Sequence, residues 1–296
     1  MKLRRILASS AAAALAATGL VACSDSGSEG GDAAADGPIR IGTTDASQQA
    51  WAVFEEVAAE DGIELQIENF SDYNTPNQAL SQDQIDVNKF QHLKFLAEYN
   101  VGAGDDLVAI GATEIYPLDL FWQGHDSLDG IEGESVAIPN DPSNQGRAIN
   151  VLVQAGLVTL REEGLVTPTP ADIDEEASQV SVTPVDAAQT PAAYGEGRPA
   201  IINNSWLDRA GIDPESAVFH DDPNSEQAEP YINVFVTRAE DADDPRLNRL
   251  VELWHSDEVM AAVAEDSQNT AIEVERTREE LAEILERLEE AERNQG

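Results

Sequence analysis

The sequence predicts an α/β protein, and three observations carry that prediction. Ile39–Gly42 alternates as a strand, Trp51, Phe54, Val57 and Ala58 recur at helical spacing, and Ile63–Glu68 alternates again. Strand, helix and strand in that order form the parallel unit of an α/β sheet. Further on, Glu134–Ile138 reads as a short buried strand. It runs through a polar turn into a helix whose Ile149, Leu152 and Val153 share one face. Asp141 is a good N-cap for that helix and Pro142 suits its first turn. Finally, 296 residues of which 42% are apolar give ample core for one large domain or two lobes.

The remaining elements follow in order. Thr43–Ser47 is a polar turn with helix-capping residues, and Phe70–Asn77 a loop of turn formers and aromatics. A short helix is expected at Asn77–Leu80, a strand at Gln84–Phe90 and a helix at Gln91–Tyr99, with His92 at their junction. Leu107–Ile110 is a strand. The apolar run Thr113–Trp122 is long enough to cross between two lobes. Leu165–Gln179 reads as surface loop with a short helix at Pro170–Glu175, Val180–Val182 as strand, Ala187–Ala193 as a short helix and Ala200–Asn204 as a buried strand. Tyr231–Thr237 is a strand that would cross back, and Arg246–Trp254 and Asp257–Ala264 are amphipathic helices.

Charge narrows the function. The formal net charge is −40, from 57 acidic and 17 basic residues, and only Lys2, Lys89 and Lys94 are lysines. Such a chain is no nucleic-acid binder and does not adhere electrostatically to anionic lipid. So acidic and lysine-poor a surface predicts adaptation to high salt, where screening relieves self-repulsion.

The N-terminus reads as a processing segment. Lys2, Arg4 and Arg5 precede the apolar run Ile6–Leu20, and Leu20-Val21-Ala22-Cys23 resembles a bacterial lipobox. That resemblance makes residues 1–22 a signal peptide and Cys23 the lipidated (palmitate-bearing) first residue of a protein anchored outside the cytoplasmic membrane. Residues 23–38, mostly Gly, Ser, Ala and Asp, form a flexible tether. Cys23 is the only cysteine, so no intrachain disulfide and no cysteine-rich metal site is expected. No metal-spaced cluster or phosphate loop occurs either, and no cofactor is expected.

The stretch Ile138–Arg147 is the candidate site. A strand, a turn and a capped helix point amides outward, where anions bind. Arg147, about one turn into the helix, can fork onto a carboxylate. These residues alone read equally well as a ligand's carboxylate seat or as a capped loop with a surface arginine. His92 by itself reads as a hydrogen-bonded packing residue. Asn203, at a strand end, and Asn233, inside an apolar strand, read first as partners for backbone groups. Glu273–Arg293 is strongly helical, with Val274, Leu281 and Leu288 seven apart. Arg278 interrupts that seam, and the expectation is a solvated, partly frayed helix.

Several stretches together resemble the methionine-binding lipoproteins of ABC importers, the NlpA lipoprotein family. They are Phe70-Ser71-Asp72-Tyr73, Pro76–Leu80, Ile85–His92, Ile138–Arg147, Ile202-Asn203 and Pro230–Asn233, within about Ile39 to Asp266. The resemblance implies a two-lobed periplasmic-binding-protein-like fold (type II), with mixed sheets flanked by helices and here a C-terminal helical extension. Lobe 1 would be 39–117 and 231–266, lobe 2 would be 118–230, and 267–296 a charged tail. It implies that Arg147, Asn144 and Asn140 hold an amino acid's carboxylate and amino group. Asn203 and Asn233 would complete that polar end, and Tyr73, Phe90, His92 and Phe95 would wall the side-chain pocket. Where the family usually has tyrosine, this chain has Phe95 and Trp206, which opens the ligand to D-methionine, another apolar amino acid or a methionine-containing dipeptide. The implied partners are a permease and its ATPase. An enzyme is not expected, since His92 has no nucleophile or paired base in its sequence context.

Overall fold

The computed structural model describes residues 37–162, 164–165 and 167–295. The expected signal peptide, the lipidation site Cys23 and the tether as far as residue 36 lie outside the described residues. The chain begins with β1 (Ile39–Thr43), α1 (Gln49–Glu60), β2 (Leu65–Asn69), α2 (Pro76–Ser81), β3 (Val87–His92), α3 (Leu93–Ala103) and β4 (Val108–Ala112). After the short β5 (Glu114–Ile115) come β6 (Asp119–Phe121), β7 (Ser135–Pro139), α4 (Pro142–Gln154), β8 (Ser181–Val185), α5 (Thr190–Gly195), β9 (Ala200–Ile202), α6 (Leu207–Ala210) and β10 (Ala217–His220). The last part holds β11 (Asn233–Thr237), α7 (Pro245–Trp254), α8 (Asp257–Asp266), β12 (Ile272–Glu273) and α9 (Arg278–Gln295).

Two mixed five-stranded sheets result. The first has the order β2-β1-β3-β11-β4, with β1 parallel to β2 and β3, and β11 antiparallel to both neighbours. The second has the order β10-β6-β9-β7-β8, with β7 parallel to β8 and β9 and β6 antiparallel to β9 and β10. The chain therefore leaves the first sheet through residues 113–118 and returns through 221–232. Strand β10 has no counterpart among the elements expected from the sequence, because its four residues are too few to show a period.

Each sheet is covered by the helices its pattern demands. Trp51, Phe54 and Ala58 of α1 are three, then four, residues apart and fully buried. They meet Trp254 of α7, with the Trp51 and Trp254 ring centroids 5.1 Å apart, and Phe54 lies 6.1 Å from Phe235 of β11. Helix α7 approaches β4 so closely that a Cβ on Gly111 would fall 2.2 Å from Val251 Cγ1, so only glycine fits there. In the second sheet Val136 and Ile138 of β7 pack on Ile149 and Leu152 of α4, all fully buried, with Val153 at the margin.

The C-terminal helix corrects the expectation of a solvated tail. Leu281 is fully buried, and Ile284 and Leu285 nearly so, in one core with Leu96 and Ala97 of α3 and Ala109 of β4. Asn100 Nδ2 donates to Glu289 Oε1 at 2.9 Å, and Lys94 Nζ pairs with Glu292 at 2.8 Å. Ahead of the helix, β12 pairs antiparallel with β5. Arg278, the residue that interrupts the seam, donates instead to Ala242 O at 2.9 Å and to Asp243 at 2.8 Å. The apolar stripe was visible in the sequence; the groove that receives it is not, because it is assembled from residues far away in the chain.

Candidate functional site

The N-terminus of α4 organises the site. Asp141 caps it, accepting from Asn144 N at 3.0 Å, Asn144 Nδ2 at 2.8 Å and Ser143 Oγ at 3.1 Å. Burial pushes the Asp141 carboxyl above the ordinary carboxylate range, and these hydrogen bonds oppose the shift. The cap also orients the Asn144 amide. Its Oδ1 accepts from Asn203 Nδ2 at 2.8 Å and faces His92 Nε2 at 3.5 Å. Asn203 Oδ1 is buried and has no hydrogen-bond partner among the described residues.

His92 closes β3 and caps α3. Its Nδ1 accepts from Phe95 N at 3.1 Å, which places the ring proton on Nε2. Burial first, then the nearby Arg147 charge, push its pKa down to about 3, so the ring is neutral at physiological pH. Beside it stands an aromatic wall. Ring centroids are 6.0 Å apart for Tyr73 and Phe90, 5.7 Å for Phe90 and Phe95, and 5.1 Å for Tyr73 and Trp206. Burial raises the Tyr73 phenol well above its ordinary value, so it stays protonated.

Arg147 is buried, and its fork is largely engaged within the chain. Nε donates to Asp221 Oδ2 at 2.7 Å, and Nη2 donates to Asp221 Oδ1 at 3.1 Å and to Tyr116 O at 2.9 Å. The guanidinium carbon lies 4.2 Å from the Tyr231 ring centroid. Among the described residues nothing accepts from Nη1. The cationic fork that the resemblance assigns to a ligand carboxylate thus has one prong left, because Asp221 reaches it from a stretch 74 residues away. Gly146 beside it permits the packing: a Cβ there would meet Thr167 Cγ2 at 2.9 Å and Thr167 Cα at 3.1 Å.

These groups surround one cavity of about 50 Å³ between the two sheets. Tyr73, Phe90, His92 and Phe95 line it on the aromatic side, and Asn144, Arg147, Asn203 and Asn233 on the polar side. Asn233 also serves the backbone, donating from Nδ2 to Glu114 O at 3.1 Å. Asn140 does not belong to this set. It is exposed at the end of β7 and outside the cavity lining, because Asp141 takes the cap and Asn144 supplies the inward amide.

Eight further residues line the cavity without being expected there from the sequence, among them the polar Asp45, Lys89 and Tyr116. Lys89 forms a buried ion pair with Glu114, whose Oε2 accepts from Trp254 Nε1 at 3.1 Å. Lys89 Nζ also stands 4.3 Å from the Trp254 ring centroid. Asp45 Oδ1 accepts from Thr43 Oγ1 at 2.5 Å and from Trp51 Nε1 at 2.7 Å. The available signal was a lysine inside a strand otherwise destined for burial, in a chain with so few lysines.

Comparison with known proteins agrees with this architecture. The profile of the NlpA lipoprotein family matches residues 39–275. The chain is 34% identical over 230 residues to the D-methionine-binding lipoprotein MetQ of Salmonella typhi, covering 76% of this chain and 83% of that one. Protein PG110 of Staphylococcus aureus superposes with a TM-score of 0.79 at 35% identity, over 84% of this chain and 99% of its own. A nutrient-binding protein of Burkholderia cenocepacia, solved bound to methionine, superposes with a TM-score of 0.73 at 30% identity, over 79% of this chain and 99% of its own. The profile covers most of the chain and the sequence match extends as widely, and this chain belongs to the NlpA lipoprotein family.

Proposed function

We propose that the protein captures methionine outside the cytoplasmic membrane, anchored through a lipid on Cys23, and delivers it to the permease and ATPase of an ABC importer. The observation that carries this reading is Asn203 Oδ1, a buried acceptor without a protein partner that lines the same cavity as Arg147. Leaving such an acceptor unsatisfied costs about 1–3 kcal/mol, which a ligand ammonium donating to it would recover. Arg147 Nη1 supplies the complementary charge for the carboxylate. His92, neutral with its proton on Nε2, offers a donor rather than a second cation. Burying a methionine side chain against the aromatic wall is worth roughly 1.5–3 kcal/mol, and sulfur against aromatic edges adds about 0.3–1.5 kcal/mol. Residues 39–117 with 231–266 would act as one lobe and 118–230 as the other, closing over the ligand.

Calorimetry tests the reading, on mature protein unfolded and refolded in high salt to strip carried-over ligand. L-methionine binds at a single site, and is recovered unchanged after long incubation. Binding of D-methionine, leucine, phenylalanine or glycyl-methionine in its place would keep the scaffold and reassign the ligand; silence with all of them would overturn the proposal. Cys23→Ala releases the protein from membranes if the anchor is as proposed.

A further inference from the structure

The sequence shows no metal-spaced cluster, yet the fold builds a candidate outside the cavity lining. His255 is the C-cap residue of α7, and β12 with the extended residues after it runs alongside. In an extended segment residues two apart face the same side. Glu273 and Glu275 are so spaced, while Val274 between them is buried in the core. One ligand atom from each of His255, Glu273 and Glu275 lies within 4.8 Å of the other two.

The imidazole geometry asks for a cation. His255 Nε2 is 2.9 Å from Ala112 O, an acceptor only, so Nε2 carries a proton. Nδ1 lies 2.8 Å from Glu273 Oε1. In the neutral ring that contact sets a bare nitrogen lone pair against a carboxylate, and the two repel. A proton on Nδ1 would pair His255 with Glu273 alone, whereas a metal ion there would also reach Glu275. A divalent cation uses all three groups.

We propose that His255 Nδ1, Glu273 and Glu275 form a zinc site. One imidazole nitrogen and two carboxylates are donors suited to Zn²⁺, and three protein ligands leave a fourth position for water. Donors around tetrahedral zinc stand about 3.4 Å apart, a small movement for two exposed glutamates. The hydrogen bond from Nε2–H to Ala112 O is the outer-shell contact that fixes a ligating histidine. The ion would tie α7 to the strand pair β12–β5 and so fasten the segment leading into α9. This site is independent of what the cavity binds.

The test uses the full chain stripped with EDTA, exchanged into chelator-free buffer and titrated with Zn²⁺ alone. The expected result is one Zn²⁺ per chain, with affinity lowered at least tenfold in Glu275→Gln and lost in His255→Gln, and a thermal midpoint that Zn²⁺ raises most in the unaltered protein, less in Glu275→Gln and not in His255→Gln. Glu275 has no side-chain hydrogen bond among the described residues, so Glu275→Gln keeps the fold and isolates ligation. Millimolar Mg²⁺, which prefers oxygen ligands, leaves zinc binding unchanged. No zinc uptake, equal uptake by all three proteins, or displacement by Mg²⁺ would each overturn the proposal.

Discussion

Two buried ion pairs flank the cavity, and they are built for different ends. Lys89–Glu114 is the drier: its side chains are 5% and 0% exposed, the Trp254 ring lies against the lysine, and the Trp254 N–H satisfies the glutamate. Lys89 lies in β3 of the first sheet and Glu114 in the short β5 that follows β4. Arg147–Asp221 is 6% and 13% exposed and joins α4 to the return crossing, while its Nη2 also holds Tyr116 O on the outward crossing. The first pair is closed by its own surroundings. The second fastens both connections between the sheets and leaves Nη1 without an acceptor among the described residues, on a side chain that lines the cavity. Burial is therefore a poor guide to which pair is functional; the better guide is what remains unpaired once the chain has satisfied itself.

The largest effect should come from breaking the closed pair. Lys89→Met leaves Glu114 charged and without a cation in a fully buried place, and the expected loss of stability is about 3–5 kcal/mol in urea denaturation. Adding Glu114→Gln should restore much of it. A loss below 1 kcal/mol in the single variant, roughly that of a surface pair, would mean Glu114 is rescued by its Trp254 contact alone.

Arg147→Met probes the other pair. Asp221 retains some solvent and accepts from Leu118 N at 2.9 Å, so the stability loss should be smaller than for Lys89→Met. Methionine affinity, in contrast, should fall by about 2–5 kcal/mol, because a buried ligand carboxylate loses its cation. Calorimetry and denaturation on the same preparation separate these. Stability falling while affinity holds would assign Arg147 to the crossings alone.

Asn203→Ala should cost about 1–3 kcal/mol in ligand affinity, since it removes the unpartnered acceptor, and about 0.5–1.5 kcal/mol in stability, since it also removes the hydrogen bond to Asn144 Oδ1. Unchanged affinity would move the ligand's ammonium elsewhere in the cavity, with Asp45 the next residue to alter.

What the sequence could and could not reveal follows the same division. The capped turn at Asp141–Pro142 and the face of α4 were legible because capping and helical period are local. Eight of the nine residues that the family resemblance grouped do line one cavity, and Asn140 does not; spacing could not group them, because His92 and Asn203 meet only at Asn144, which is remote from both in the chain. The partner of Arg147 was hidden for the same reason. Asp221 is one acid among 57 acidic residues, and no local pattern marks it. Lys89 was the reverse case, rare enough to notice but without a visible counter-charge. The α9 stripe was seen and its docking groove was not, and a lone helix pattern with many charges reads as solvated until α3 is placed beside it.

The smallest predicted effect concerns Asp119, which stands between the two behaviours. Burial, reinforced by repulsion from Asp221 and opposed by Arg147, pushes its pKa up to about 8. Arg147 thus neutralises one carboxylate by contact while its neighbour stays protonated at neutral pH. The folded protein holds a proton here that the unfolded chain releases near its ordinary carboxylate pKa, so stability falls as pH rises between those two values. Asp119→Asn keeps the shape and removes the titration. Between pH 6 and 7 the variant's stability relative to the unaltered protein should grow by about 1 kcal/mol, the work of one proton over one pH unit. Parallel stability curves for the two proteins across that range would place the charge on Asp119 in the folded state, and Arg147 would then be shared between two carboxylates instead of committed to one.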